Sequence, residues 1–325
     1  MKIIVGIIAS KDQHYDIFKK IWIKSINHIK QSHLANNFNF YFIYSDEIND
    51  YIGEEFIEYS IDTTKNYKDY YYKYNYKEFE SDITLIKREV VVLNKIISFY
   101  KYLRCNLNLD DNKSYNYNTN NDTTYVLRTN LSSLFDFKKM FNFLLDKPNK
   151  SFFAGTINGF YNNIYTTISG MNTILSLDLM MYSIDNQEEI INYLKILKYE
   201  DDTISNFIIK NLNIYLINIK RLDFIEMKEV VLPTHIWPAT PKSIIYQKCE
   251  IGDETLFSFR FKTFNRTDDI EIMTILNDEI IKKEFNLSTF VNLISKKSSY
   301  IINTESETYG ELYSKKPFKV INLDF

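Results

Sequence analysis

The sequence predicts an α/β fold in which helices flank a mostly parallel central sheet. Two apolar segments of strand length lie near the start of the chain, KIIVGIIA at residues 2–9 and FNFYFIYSDE at 38–47, with a helical pattern at 14–31 between them. Their apolar residues are nearly continuous, which is typical of parallel strands covered on both faces. Strands that alternate with helices in this way favour parallel pairing through helical crossovers.

The later elements continue the alternation. A tyrosine-rich linker at about 62–80 precedes a long predicted helix, ITLIKREVVVLNKIISFYKYLR. The segment ISGMNTILSLDLMMYSI predicts a turn followed by a strand or the start of a helix. Further strands are predicted in TTYVLR, SFFAGTI and LFSFRFKTF, and further helices in the segment up to about residue 146, NQEEIINYLKIL, YEDDTISNFIIKNL and DIEIMTILNDEIIKKEF.

Composition argues against several functional classes. The formal net charge of −3 gives no basic footprint for nucleic acid. The first apolar run is too short to span a bilayer and lacks a cleavage site, so we expect a buried strand and no membrane span. With only Cys105 and Cys249, a disulfide framework is excluded, and a reducing, cytoplasmic compartment is expected.

Polar residues follow three of the predicted strands. In open α/β sheets, ligands bind beyond the carboxyl ends of the strands. That rule selects the residues Ser10 and Lys11, Ser45 and Asp46, and Arg128 to Asn130.

The segment TNLSSLFDF combines a helix signal with an unexplained cation. Ser133 and Asp136 have the spacing of a capping box, and Leu134, Phe137, Phe141 and Leu144 would then share one helix face. The cap does not account for Arg128, which must reach water or meet an anion at the end of a buried strand. Both alternatives stay open for Arg128.

Two other segments offer charged groups. In KYEDDTISNF, Asp201 and Asp202 precede a helix, where an acidic residue favours the helix N-terminus; the second carboxylate is also a candidate general base. In FSFRFKTF, Arg260 and Lys262 share the polar side of a strand. They form either a solvated face or a clamp for a diphosphate.

Motifs for other chemistries are weak or absent. His235 lies in PTHIWPATP without histidine or cysteine partners at metal-binding spacing, so a hydrogen-bonded loop histidine is the alternative to a metal ligand. The sequence contains no GxGxxG, Walker, CxxC, HExxH or GxSxG motif.

Four segments in order carry a family resemblance: VLRTNLSSLFDF, TISGMNTILSLDL, YEDDTISNF and LFSFRFKTFNRTDD. This series resembles glycosyltransferases of the β-1,3-galactosyltransferase-like kind, in particular divergent members from large DNA viruses. The resemblance implies a GT-A fold, which is a Rossmann-type, mostly parallel sheet flanked by helices. It covers roughly residues 2–280, so we expect one GT-A-like domain at 1–284 and a C-terminal extension at 285–325 packed on the same domain. The polar, low-complexity segment at 110–122 is expected to be a flexible insertion. A viral member would act in the host cytoplasm or the virion.

The resemblance also implies a reaction. A sugar would pass, with inversion, from a nucleotide-sugar donor to a hydroxyl of a glycan or protein acceptor. Asp202 matches the base of the family, and Asp201 is the alternate base. The resemblance places these residues around the nucleotide sugar: Ser10, Arg128, Asn130, Ser169, Gly170, Arg260 and Lys262.

One departure from the family leaves the cofactor open. Arg128, Thr129 and Asn130 stand where the family has an Asp-x-Asp motif for Mn²⁺ or Mg²⁺. Asn130 and the isolated His235 are weak ligands, and Arg128 could take over the charge of the cation. The missing carboxylates also favour a second interpretation, a catalytically inactive GT-A-like module that binds a glycan or a protein. A nucleotidyltransferase is a third, and the sequence does not indicate an oligomeric state.

Overall fold

The computed structural model describes residues 1–10, 13–44, 51–53, 56–60, 80–107, 109, 123–161, 165–197, 200–225, 231–232, 235–236, 243–246, 256–262, 266–282 and 301–303. The helices in these ranges are α1 Asp16–Lys30, α2 Glu80–Asn106, α3 Phe137–Leu144, α4 Leu177–Asp185, α5 Gln187–Leu197, α6 Glu200–Leu212 and α7 Arg266–Lys282. None of them is both long enough and apolar enough to cross a lipid bilayer.

The strands in the first half of the chain are β1 Lys2–Ile8, β2 Phe38–Tyr44, β3 Tyr51–Gly53, β4 Phe56–Ser60, β5 Thr124–Asn130, β6 Ser133–Phe135, β7 Phe153–Gly155 and β8 Ile157–Tyr161. Those that follow are β9 Tyr165–Ile168, β10 Thr173–Ser176, β11 Leu216–Asn218, β12 Arg221–Ile225, β13 Val231–Leu232, β14 His235–Ile236, β15 Ser243–Tyr246, β16 Ser258–Lys262 and β17 Ile301–Asn303.

Eight strands form the main sheet, in the order β11-β7-β10-β5-β1-β2-β4-β3. Six run parallel, whereas β10 and β3 run antiparallel to the rest. Numbered along the chain, the parallel strands from β4 to β11 read 3-2-1-4-5-6, with β10 inserted between the fourth and fifth. This order is compatible with the doubly wound, Rossmann-like class. The prediction of an α/β fold with a mostly parallel sheet is therefore confirmed.

The strand order reverses between β1 and β5. Register pairs join Ile8 to Asn130 on one side and to Ile43 of β2 on the other, so the three strands end at the same level. A reversal of this kind opens a crevice outside the carboxyl ends of the strands, which is where such sheets bind ligands. Ser10 and the segment 128–130 lie at this switch point.

Apolar layers cover both faces of the main sheet. On β1, Ile3, Val5 and Ile7 pack in the layer that contains α1, α3 and α7, while Ile4 packs in the layer that contains α2, α4, α5 and α6. Side chains of a strand alternate between faces, so two covered faces require an apolar residue at nearly every position. This requirement accounts for the unbroken apolar run that begins the chain.

A second, five-stranded sheet has the order β17-β15-β12-β16-β6, and the sequence did not predict it. The predicted alternation in β16 is confirmed on one side, because Phe257, Phe259 and Phe261 are fully buried. The other face of β16 is less exposed to solvent than predicted, since Ser258 is also fully buried. Strand β17 pairs with β15, but the domain boundary at 284 stays a prediction, and the insertion at 110–122 lies outside the described residues.

The predicted capping box at the start of α3 is wrong for Ser133. The N-cap is Asp136, whose Oδ1 accepts a hydrogen bond of 3.0 Å from the Lys139 N–H. Ser133 lies in β6, opposite Arg260 of β16. The Asp136 N–H donates to the Phe257 carbonyl at 2.9 Å. Because of this pairing with a distant strand, the helix begins about one turn later in the sequence than the predicted cap implies.

The cap predicts a specific cost. We expect Asp136→Ala to lower the free energy of unfolding by about 1 kcal/mol, because the Lys139 N–H loses its acceptor. Asp136→Asn should retain the cap. Urea unfolding at neutral pH measures both, and a larger loss from Asp136→Asn than from Asp136→Ala would contradict the assignment.

The same residue predicts a pH dependence. Burial raises the pKa of the Asp136 carboxyl, against the lowering effect of Lys139 and Lys138. A raised folded-state pKa stabilises the protein below the unfolded pKa of about 4, and this contribution is lost as the pH rises through the folded value. Relative to the wild type, Asp136→Asn should therefore become more stable as the pH rises above about 4. Urea unfolding at a series of pH values from about 4 upwards tests the sign, and a constant difference would contradict it.

Candidate functional site

Arg128 lies near the carboxyl end of β5, opposite Gly6 of β1 and Thr173 of β10. It follows Val126 by two positions, so it projects to the face that α2, α4, α5 and α6 cover. Arg128 is 8% exposed, and its guanidinium lies directly against Gly170. A Cβ atom at Gly170 would stand 2.5 Å from Cζ and 2.8 Å from Nη2 of Arg128, so any larger residue would require the guanidinium to move.

Asp201 contacts the same glycine. Its Oδ2 accepts a hydrogen bond of 3.1 Å from the Gly170 N–H. Asp201 stands in the first turn of α6, where a negative charge favours the helix N-terminus. The Ser205 hydroxyl donates to the Asp201 carbonyl at 2.6 Å and accepts from the Ile168 N–H at 3.3 Å. The structure therefore brings together Arg128, Gly170 and Asp201, which the sequence predicted separately.

Asn130 closes the end of β5 rather than projecting into open space. Its Oδ1 accepts from the Ser132 N–H at 3.0 Å and from the Ser133 hydroxyl at 3.4 Å, and its Nδ2 contacts Met171 Sδ. The neighbouring Thr129 hydroxyl donates to the Met171 carbonyl at 2.7 Å. Coordination of a metal by Asn130 Oδ1 would compete with both of its hydrogen bonds.

Ser169 and Asn172 belong to the turn that supports Gly170. The Ser169 N–H donates to the Thr156 carbonyl at 2.8 Å, and the Ser169 side chain is buried. Asn172 is 0% exposed, and its Nδ2 donates to Thr156 Oγ1 at 2.7 Å and to Ser258 Oγ at 3.0 Å. Its Oδ1 accepts from the Thr156 N–H at 3.2 Å. One amide thus joins the main sheet to the second sheet.

Arg260 approaches the site from the second sheet. It pairs with Ser133, and the next residue, Phe261, donates its N–H to the Ser132 carbonyl at 2.9 Å. Arg260 is half-buried and shares a strand face with Ser258, the residue that Asn172 contacts. This ladder brings Arg260 beside the turn that ends β5.

For the remaining predicted site residues, the structure gives the position in the fold. Ser10 is exposed just beyond β1. Asp202 lies in α6 and Lys262 in β16, but their side chains lie outside the described residues. His235 is in β14, which pairs with β13 in a separate two-stranded ladder, and its side chain is likewise not described. The prediction of His235 as a ligand stays untested.

Helix α2 contributes polar residues that sequence reasoning missed. Glu89, Asn94 and Lys95 are all buried, and Lys95 Nζ donates to the Ala9 carbonyl at 3.3 Å, at the end of β1. A signal was present in the helix pattern, because Glu89 continues the apolar stripe of Leu93, Ile96, Tyr100 and Leu103 at spacings of four and three. Because charged residues are rarely buried without a partner, a charge on an apolar stripe indicates a candidate polar site.

The described residues do not fit a divalent cation. Within the described part of the chain, no three histidine, cysteine, aspartate or glutamate side chains form a group that could hold a metal ion. Mn²⁺ and Mg²⁺ prefer several oxygen ligands, whereas the end of β5 presents the Arg128 guanidinium and the engaged amide of Asn130.

The contact between Arg128 and Gly170 can be tested by a double-mutant cycle. We expect Gly170→Ala to lower the free energy of unfolding by about 1–3 kcal/mol, because the added Cβ displaces the guanidinium. In an Arg128→Ala background the same change should cost less than about 0.5 kcal/mol. Urea unfolding of the four proteins measures the coupling, and equal costs in both backgrounds would contradict the contact.

The junction at Asn172 predicts a larger loss. Asn172→Ala should lower the free energy of unfolding by about 2–3 kcal/mol, because the buried groups of Thr156 and Ser258 lose their partners. Asn106→Ala is a matched control, since the exposed Asn106 side chain donates to the Tyr102 carbonyl in its own helix. The control should cost less than about 0.5 kcal/mol. Similar losses in the two variants would refute the role of the junction.

Comparison with known proteins assigns no relative: no protein-family model matches the chain, and no curated protein matches it significantly. Support for a function therefore comes from the strand order, the charges at the switch point and the sequence pattern.

Proposed function

We propose that this protein is a GT-A-type glycosyltransferase that moves a sugar from a nucleotide-sugar donor to an acceptor hydroxyl. The observation that carries the proposal is the buried guanidinium of Arg128 at the switch point of the sheet, seated on Gly170 beside the first turn of α6. Doubly wound sheets bind nucleotides in this crevice. A cation there suits the diphosphate of the donor.

Charge at this position supports transfer chemistry. The departing nucleoside diphosphate gains negative charge as its bond to the sugar breaks, and a positioned cation stabilises that charge most strongly where water is excluded. Arginine keeps its proton when buried and binds phosphate oxygens through paired N–H groups. In the proposed reaction, Arg128 supplies this charge, and the half-buried Arg260 assists from the second sheet.

Asp202 is the proposed base. Its carboxylate takes the proton of the acceptor hydroxyl as that oxygen bonds to the anomeric carbon. The bond from that carbon to the diphosphate oxygen breaks, its electron pair leaves with the nucleoside diphosphate, and the configuration inverts. The hydrogen bond from the Gly170 N–H to the Asp201 carboxylate supports Asp202 rather than Asp201 as the base, because it gives Asp201 a positioning role.

A catalytically inactive binding module is the second candidate. One observation favours it: the described end of β5 presents Asn130 and Arg128 in place of paired carboxylates. Such a module would bind a glycan or a protein without turning over a nucleotide sugar.

The two aspartates provide the test. Asp202→Asn should lower kcat for release of nucleoside diphosphate by at least about a hundredfold, because the base is removed. Asp201→Asn is the matched control, since its amide oxygen can still accept from the Gly170 N–H. A panel of nucleotide sugars, assayed with and without Mn²⁺, gives the measurement.

Each outcome separates the candidates. Full activity of Asp202→Asn with loss in Asp201→Asn would reverse the assignment of the base. Failure of the wild type to turn over any donor, together with glycan binding, would favour the inactive module.

A further inference from the structure

Two buried cations flank the switch point on the same face of the main sheet. Arg128 of β5 is 8% exposed, and Lys95 of α2 is 7% exposed. A Cβ atom at Gly6 would lie 2.5 Å from Phe99 Cε1, so α2 crosses β1 at Gly6, the register partner of Arg128. The face that α2 covers is therefore the face to which Arg128 projects.

Lys95 reaches the carboxyl edge along α2. One helical turn separates it from Phe99, which packs at Gly6 in the middle of β1. Lys95 Nζ donates to the Ala9 carbonyl at 3.3 Å, three residues further along the strand. Helix α2 therefore runs antiparallel to β1 and carries the ammonium group to the end of the strand.

Arg128 reaches the same edge from β5. Its register partner on β10 is Thr173, whereas its guanidinium lies on Gly170, three residues before β10 begins. Because β10 begins where β5 ends, this position is also at the carboxyl edge. The charged ends of Arg128 and Lys95 thus lie at the ends of neighbouring strands, on either side of the strand-order reversal.

We propose that Lys95 is a second diphosphate-binding residue, which completes a two-cation clamp with Arg128. This inference rests on the proposed function. It names a second residue, Lys95, that neutralises the negative charge of the departing diphosphate. A diphosphate carries more negative charge than one guanidinium can neutralise, and the described residues offer no group that fits a metal ion. The bond to Ala9 orients the ammonium at the crevice, where low solvent exposure strengthens its attraction for an anion.

Binding of anions tests the clamp without requiring an acceptor. Binding of UDP, GDP and inorganic pyrophosphate is measured by calorimetric titration. For whichever of these anions the wild type binds, Lys95→Met should raise the dissociation constant at least about tenfold. Lys24→Met is the matched control, because Lys24 is exposed on α1, in the opposite layer, and pairs with Asp278. It should leave binding unchanged. Lys95→Arg keeps the positive charge, so it should lose less affinity than Lys95→Met.

A labelling experiment on the unaltered protein covers the case in which Lys95→Met does not fold. A diphosphate conjugate of uridine or guanosine with pyridoxal, whichever nucleoside binds, carries an aldehyde at the position of the sugar. A nearby lysine amine condenses with this aldehyde, with loss of water, and borohydride then reduces the imine to a stable amine. Peptide mapping should find the label on Lys95, and unlabelled nucleoside diphosphate should prevent it.

The outcomes distinguish two failures. Tight binding by the wild type with equal binding by Lys95→Met, or labelling that omits Lys95, would overturn the clamp and leave the proposed function intact. If the wild type binds neither a nucleoside diphosphate nor pyrophosphate, both the clamp and the proposed function are wrong.

Discussion

The site depends on the hydrogen bonds of one fully buried amide, Asn172. Its two ends satisfy groups of Thr156, just after β7, and of Ser258 in β16, so the main and second sheets meet through this side chain. Polar groups buried without partners cost several kcal/mol, roughly 2–7 for an amide or hydroxyl. The turn that carries Asn172 is therefore confined to the position that makes these bonds. The same turn places Gly170 under Arg128 and Met171 against Asn130.

The position of this turn determines where two charged side chains, Arg128 and Asp201, lie. Gly170 contacts both a cation and an anion, because the Arg128 guanidinium packs on it and the Asp201 carboxylate accepts its N–H. A side chain at residue 170 would occupy the space of the guanidinium. The absence of a Cβ atom thus allows Arg128 to remain inside the protein at the edge where doubly wound sheets bind ligands. In the proposed glycosyl transfer, this charge stabilises the departing diphosphate.

Several elements could be predicted because their signals are local. The apolar run of β1 and the helical spacing of α1 each reflect burial along a single segment, and both elements form near the predicted bounds. Ser133 shows where local reasoning fails. The spacing to Asp136 fits a cap, yet pairing of β6 with β16, more than a hundred residues later in the chain, places Ser133 in a strand. Tertiary contacts of this kind override local preference because they satisfy backbone groups that a helix would otherwise bond.

The sequence by itself determined the α/β class and most helices, and it placed polar residues at the ends of three strands. It also identified Arg128, Gly170 and Asp201 as separate candidates. Only the tertiary structure decided that these three residues touch, that β10 enters the sheet antiparallel, and that Lys95 of α2 reaches the end of β1. The physical reason is that the spacing of buried residues can be seen within a single segment of the sequence. Strand order and the contacts between charged side chains instead depend on packing between segments far apart in the chain.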